Sequence, residues 1–323
     1  MSELWLSVGL LLIPFIAVLA EWGIGLPGHW HPLTYYRQLG QGLAKRVNRA
    51  ENGPAQQRQA GTLALFILVG LPISAYWGLS VLADAPLLLD GVLLFFLLSW
   101  RPLLHDLTQV MEKISHQQTA SARLQLSNWT LRDTHQLSQS GIGQAAGEAL
   151  ILNLAHGWFA VLFWYALLGP AGALAYRLID LLHQCWNRKL TEFNHFGRPV
   201  DSLHRILCWL PDQLLAWFMC LFGNMRKNLS YKNQGFRWIR ASSGQLIGIT
   251  ASWMNAELGG QRFYRGSTAS YPLFGPQHKP PLAHDFRTLR FRCFLTAINY
   301  LIFVIYPLLL CRYLIIGLPA ALS

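Results

Sequence analysis

Long unbroken apolar runs, rather than strand-like alternation or a heptad stripe, set the pattern of this chain. Four are apolar enough to read as membrane spans on their own: Leu4–Ala20, Gly61–Ala83, Ala149–Gly169 and Cys293–Pro319, the last interrupted by Arg312. Each is near or above the roughly 17–25 residues that a helix needs to cross a hydrocarbon core. Two weaker runs follow the same logic, Pro86–Leu104 with Asp90 and Arg101, and Leu203–Phe222 with Arg205 and Asp212. Charges near span ends can snorkel to the interface, whereas Asp90 and Asp212 are expected to face protein or water. The pattern predicts an all-α polytopic membrane protein, a bundle of five or six transmembrane helices. The first run ends in Val18-Leu19-Ala20, which loosely fits a signal-peptide cleavage site. Its leading segment carries Glu3 and no Lys or Arg, so a retained helix is expected instead. No internal repeat is apparent, and Gly/Pro punctuation at Gly25–Gly28, Gly169-Pro170 and Pro272–Pro281 reads as bends and loops. Residues 1–323 are therefore expected to form a single integral membrane domain.

Charge lies between the runs. Residues 21–60 carry Arg37, Lys45, Arg46, Arg49 and Arg58 against Glu21 and Glu51; residues 224–292 carry eleven basic side chains against Glu257 and Asp285. With six spans, the loops at about 21–60, 105–145 and 224–292 fall on one side. Positive-inside bias makes that side the cytoplasm of a bacterial-type inner membrane, with both termini outside. Composition agrees: 53% of residues are hydrophobic and 13% charged, against about 25% charged in a soluble chain. That excludes intrinsic disorder. The net charge of +11 would suggest nucleic acid in a soluble protein. Here no nucleic-acid module is visible, and the lipid bilayer with its anionic headgroups is the expected partner.

Searchable chemistry is sparse. There is no phosphate loop; Gly141-Ile142-Gly143 with Gly147 is a near miss to a dinucleotide fingerprint and reads better as close helix packing. His29-Trp30-His31 fits no common metal spacing and reads as an interfacial Trp between two polar rings. Cys185, Cys208, Cys220, Cys293 and Cys311 form no C-x-x-C pair and read as small buried hydrophobes. What stands out is polarity inside or beside apolar sequence. Arg132-Asp133-Thr134 precedes a helix with Glu148, Asn153 and His156, followed by Tyr176, Arg177, Asp180 and His183. Tyr176, Asp180 and His183 lie at i, i+4, i+7 and so share one stripe. Ionisable groups at membrane depth are costly, so a functional site and a network that only holds the bundle together are both open on spacing alone.

The order of these motifs resembles the CobD/CbiB family of cobalamin-biosynthesis membrane proteins, the adenosylcobinamide-phosphate synthases. The matching segments are His31-Pro32 with Arg37-Gln38-Leu39-Gly40; Ala122-Arg123 ahead of Arg132-Asp133-Thr134; Ala145-Ala146-Gly147-Glu148; Gly169–Arg177; Phe196-Gly197; and Leu258-Gly259-Gly260 with Tyr264 and Gly266. The resemblance implies ATP-dependent amide ligation of aminopropanol, or its phosphate, to adenosylcobyric acid. It implies Mg-ATP and a corrinoid substrate, with other cobalamin-pathway proteins as possible partners. It also implies catalytic roles for Asp133 and Glu148, and substrate binding by Arg132, Asn153, Tyr176, Asp180, Gly259, Gly260 and Tyr264. Arg132 would pair with phosphate through its fork.

The chain departs from the pattern in its acids. Leu152 replaces a second Glu, His156 and His183 stand at Asp positions, and His204-Arg205 stands where the family has an Asp pair. Replacing two Asp by His and Arg turns a cation site into a cation-repelling one. The alternative implied by a related scaffold, the AmpE-type proteins, shares Trp209-Leu210-Pro211 with this chain. On that reading the chain is a non-catalytic regulatory or scaffold protein that kept the fold and lost the ligase site.

Overall fold

The computed structural model describes residues 2–24, 31–49, 51–265 and 267–321; of the features above, Gly25–Gly28, His29, Trp30 and Gly266 lie outside them. The described chain is all-α in class: α1 Ser2–Gly23, α2 Pro32–Val47, α3 Pro54–Leu82, α4 Pro86–Leu97, α5 Arg101–Ser115, α6 Thr119–Leu126, α7 Gln139–Leu154, α8 Ala160–Cys185, α9 Arg198–Cys220, α10 Met225–Gln234 and α11 Ala241–Met254. A hairpin follows, β1 Leu258–Tyr264 and β2 Ser267–Phe274, and then α12 Ala283–Tyr300 and α13 Tyr306–Ala321. Among the described residues, four helical stretches are long and apolar enough to cross a membrane: Pro54–Leu82, Pro86–Ser115, Gln139–Cys185 and Ala283–Leu314. Leu11–Gly23 is a shorter apolar helix. The expected number of five to six is therefore approximate. The expected span at Leu203–Phe222 does form a helix, α9, but Asp201, Arg205 and Asp212 make it amphipathic rather than evenly apolar.

The chain divides into two compact units. One comprises Met1–Trp100, Gly157–Leu207 and Leu301–Ser323. Its α8 buries Tyr165, Tyr176, Leu181 and Leu182 and packs against α2, α3 and α4. Helix α3 leaves Leu63, Phe66, Ile67, Leu71, Trp77, Val81 and Leu82 exposed, an apolar face suited to lipid. Helix α8 kinks at Gly169, whose φ of +79° strains any side-chain-bearing residue, just before Pro170. At this break Arg312 Nη1 donates to the Tyr165 carbonyl at 3.2 Å. A Cβ on Gly169 would lie 2.5 Å from Arg312 Nη2, so the glycine also makes room for the arginine. The one charge interrupting the last apolar run thus has a backbone partner.

The other unit comprises Arg101–His156 and Cys208–Tyr300. Helix α11 is buried from Ser242 to Met254 and packs against α7, α10 and α12. Small residues allow that closeness: a Cβ on Gly248 would meet the Tyr231 carbonyl at 2.6 Å, and one on Gly147 of α7 would meet Met254 Sδ at 2.8 Å. Gly143, where a Cβ would meet the Pro281 carbonyl at 3.1 Å, and Gly147 are packing glycines, as expected, whereas Gly141 borders only its own turn. Ser138 caps α7, its hydroxyl accepting from the Gly141 N–H at 3.1 Å. The β1–β2 hairpin pairs Gly260 with Tyr271 and Tyr264 with Ser267, with a bulge between Leu258 and Gly260.

Candidate functional site

In the second unit a buried carboxylate lies between two buried arginines. Glu148 sits on α7 and is 3% exposed; Arg132 comes from the loop before that helix at 9%, and Arg262 from β1 at 5%. Glu148 Oε2 pairs with Arg132 Nη2 and with Arg262 Nη2, the latter at 2.7 Å. Its other oxygen accepts the Gly259 N–H at 2.8 Å.

The bulge explains that last bond. Gly259 has a φ of +103°, and a Cβ there would lie 2.2 Å from the Pro272 carbonyl. Pro272 has no N–H for the ladder, so the strand bulges opposite it and the Gly259 N–H turns to the carboxylate. Strand alternation puts Gly260, Arg262 and Tyr264 on one side of β1. The Arg262 guanidinium lies over Trp238 at 4.6 Å and Tyr271 at 4.4 Å, and the Tyr264 hydroxyl bonds to Arg262 and to Tyr271. The loop itself is tied down, because the Asp133 N–H donates to the Phe263 carbonyl at 2.8 Å. Arg123 Nε and Nη2 both donate to the Leu137 carbonyl, at 2.9 and 2.7 Å. Arg132 is accordingly a member of this cluster, and the helix cap is Ser138.

Electrostatically, two guanidiniums share one carboxylate away from water, leaving one positive charge in excess. Burial first, and then Arg262, push the Arg132 guanidinium down to about 9, still cationic at neutral pH. Burial also lowers Arg262, with Tyr264 acting in the opposite direction. Tyr271 is pushed up to about 12 by burial and then by Tyr264, so it stays a neutral phenol. Arginine forks matched to planar or tetrahedral oxyanions make this a place to hold a carboxylate or phosphate. Glu148 spends both oxygens on donors, so it offers no lone carboxylate to a divalent cation. Asp133 is exposed and uses one oxygen for the His135 N–H at 3.0 Å. Magnesium commonly takes one or two carboxylates plus substrate phosphates, and Asp133, exposed on the loop that carries Arg132, is a carboxylate of the type that donor set needs.

The remaining expected residues are distributed as follows. Asn153, on α7, gives its amide N–H groups to the Trp129 and Ala149 carbonyls at 3.3 and 2.8 Å. Tyr176 and Asp180 belong to the first unit. There Asp180 accepts from Arg177 Nη1 at 2.6 Å and Gln184 Nε2 at 3.0 Å, and pairs with His204 Nε2 at 3.0 Å. His183 stacks on His204 with ring centroids 4.0 Å apart, and Tyr176 stacks on His204 at 6.4 Å. His204 and Arg205, expected to repel cations, are thus each paired with an acid, Arg205 reaching Asp201 at 3.0 Å.

Sequence reasoning missed Arg262, Trp238 and Tyr271. The signal for Arg262 was present: it lies two residues before Tyr264, which in an extended strand is the same face.

The chain matches the CobD/Cbib protein family over residues 14–290. It is 28% identical to the "Cobalamin biosynthesis protein CobD" of Chromobacterium violaceum, with 80% of this chain and 85% of the relative aligned. It is 29% identical to the protein of that name from Stutzerimonas stutzeri, over 83% and 88% of the two chains. The "Cobalamin biosynthesis protein CbiB" of Salmonella typhimurium is 25% identical over 85% and 90%. No solved structure matches. With a match that spans most of its length, relatives aligned over nearly all of theirs, and the Arg-Asp-Thr loop joined to the Leu-Gly-Gly strand, this chain belongs to the CobD/Cbib protein family.

Proposed function

We propose that this protein acts in cobalamin biosynthesis as a membrane-embedded acid–amine ligase. It would join aminopropanol, or its phosphate, to the free carboxylate of adenosylcobyric acid at the expense of Mg-ATP. The reading rests on the relatives' names and on one structural observation, the buried Arg132–Glu148–Arg262 cluster with its surplus positive charge. A ligase of this class handles two oxyanions, a substrate carboxylate and a polyphosphate, and guanidinium forks are suited to both.

In this reading Glu148 keeps the two guanidiniums from repelling each other and fixes their forks. Arg262 is held from behind by Trp238 and Tyr271, so little of its freedom is lost when it binds an oxyanion. Arg132 would bind the other side of the anion, and Asp133, the exposed carboxylate that follows it in the chain, would be the residue to hold a magnesium ion accompanying the phosphates. ATP supplies the free energy that turns a carboxylate oxygen into a leaving group. Guanidinium donors that tighten as charge grows on that oxygen would lower the barrier.

The competing non-catalytic reading is favoured by the saturation of Glu148 and Asp180 with basic partners. The two separate in one assay: purified protein, adenosylcobyric acid, aminopropanol and Mg-ATP, followed for amide formation. Product that depends on ATP and is lost in Asp133→Ala and Arg262→Met, with both variants folded, is expected. Absence of product from the folded wild-type protein, with no ATP hydrolysis above background, would overturn the ligase and leave the scaffold. Corrinoid binding without turnover would instead place the protein among carriers.

A further inference from the structure

In the first unit a second pair of arginines gathers around one carboxylate, and the ligase reading above makes no use of it. Helix α2 opens with His31 as its cap, the ring Nδ1 accepting the Leu33 N–H at 3.3 Å, which leaves the ring proton on Nε2. Arg37, further along α2, donates from Nη2 to the neutral Gln184 amide oxygen at 2.9 Å. On α8, Arg177 is 3% exposed. It donates to Asp180 at 2.6 Å and to Ser99 Oγ at 2.8 Å. Gly157 leaves space for it, since a Cβ there would stand 2.9 Å from Arg177 Nη1. The Nε atoms of both Arg37 and Arg177 are buried without an acceptor among the described residues.

The charge count does not close. Asp180 already serves Arg177, Gln184 and His204, so among the described residues Arg37 has only a neutral amide as its side-chain acceptor, and one guanidinium charge is left over. Burying a guanidinium on those terms is costly unless an anion completes the set. His31 cannot add to the excess, because burial, then Arg177, then Arg37 bring it down to about 4 and keep it neutral at physiological pH. It remains a hydrogen-bond donor through Nε2.

We infer that Arg37 and Arg177 form a second anion site that takes a phosphate group, with the neutral His31 as its polar partner and Ser99 holding the Arg177 fork in place. A tetrahedral oxyanion has oxygens enough for donors arriving from α2 and from α8 at once. The group can reach the site as free phosphate, as a phosphorylated small molecule or as a phospholipid headgroup. The inference stands without the ligase reading.

The test uses the full chain in detergent with Arg132→Gln as background, so that the hairpin cluster is silent. Thermal unfolding is followed while inorganic phosphate replaces chloride at matched ionic strength. A saturable rise in Tm is expected. Arg37→Gln should weaken the apparent affinity at least about tenfold, since a charge-assisted hydrogen bond is lost, and Arg37→Lys should weaken it less. The same titration in phosphatidylcholine and phosphatidylglycerol nanodiscs identifies the source. A shift in both assigns the site to soluble phosphates, and a shift that phosphatidylglycerol abolishes assigns it to the headgroup. Absence of a saturable shift in detergent and phosphatidylcholine alike would overturn the site. So would an unchanged shift in Arg37→Gln, provided its circular dichroism and its Tm in chloride match the background.

Discussion

Glu148→Gln tests the charge arithmetic of the hairpin cluster most directly. Glutamine keeps an oxygen for the Gly259 N–H, now 2.8 Å from Glu148, but removes the negative charge shared by Arg132 and Arg262. Removing one partner of a buried ion pair costs about 3–5 kcal/mol, because the other charge is left uncompensated. Here two guanidiniums lose the same partner at side-chain exposures of 5–7%, so the upper part of that range is expected. Arg262→Met is the informative control. It leaves Arg132 and Glu148 as a balanced one-to-one pair and keeps an apolar stem between Trp238 and Tyr271. Its loss is the ring contacts at 4.6 and 4.4 Å, about 1–2 kcal/mol each at most, set against relief of the Arg132–Arg262 repulsion. The expected order is that Glu148→Gln destabilises more than Arg262→Met. Phosphate should partly rescue Glu148→Gln by mass action on the folded state. Denaturant or thermal unfolding of the detergent-solubilised chain measures both. If Arg262→Met proves the more destabilising, or Glu148→Gln lies within about 0.5 kcal/mol of wild type, the surplus-cation argument is refuted.

Three further outcomes follow from other parts of the fold. His31 is held neutral, at about 4 rather than 6.5, so the unfolded chain binds the extra proton between those values and stability falls as pH drops from about 6.5 to about 4. The loss is about 2–3 kcal/mol after screening by residual solvent. His31→Asn, which keeps the cap on the Leu33 N–H, should flatten that acid limb, and an unchanged limb would contradict the assignment. Gly61→Ala would put a Cβ 2.1 Å from the Phe196 carbonyl; a loss of about 1–3 kcal/mol in unfolding is expected, and a neutral substitution would contradict the packing. Gln277, exposed in the basic 224–292 segment, should, as Gln277→Cys in a Cys311→Ser background, resist impermeant thiol reagents in intact cells and react in inverted vesicles; the reverse would overturn the positive-inside orientation.

The apolar runs were legible because a helix crossing lipid needs length and composition before anything else, and both can be counted. The stripe Tyr176–Asp180–His183 was legible for a related reason: helical spacing alone puts those side chains on one face, and His204 meets Tyr176 and His183 by stacking. The hairpin was not. Ser267–Phe274 is polar, contains Pro272 and lies in a stretch already read as loop, so its alternation carried little weight. With the hairpin went Arg262, whose place beside Glu148 depends on strand pairing and on a bulge that only the partner strand explains. Asp133 was the conspicuous acid of its motif, yet its neighbour Arg132 turns inward, because in this extended loop alternate side chains face opposite ways. Arg132 and Thr134 are buried, and Asp133 is exposed.

The departures from the family pattern acquire a common sense in these two clusters. Leu152, His204 and Arg205 stand where the resemblance expects acids, and the carboxylates at the centre of the two clusters, Glu148 and Asp180, are each bonded to arginine. Fewer acids among buried arginines moves the balance of a polar region toward anions. Arg132 and Arg262 share Glu148 in one unit; Arg177 and, through Gln184, Arg37 share Asp180 in the other. On the proposed ligase reading, a divalent cation would have little to gain from either centre and would arrive with its own phosphates, leaning on an exposed carboxylate such as Asp133. An enzyme built this way would recognise its nucleotide chiefly through phosphate oxygens. Its affinity for nucleotide should therefore fall far less when magnesium is chelated than in a site whose carboxylates hold the metal directly. Nucleotide binding measured with and without a chelator reads that difference. Complete loss of binding on chelation would show that the acids missing from these positions have been replaced elsewhere in the chain.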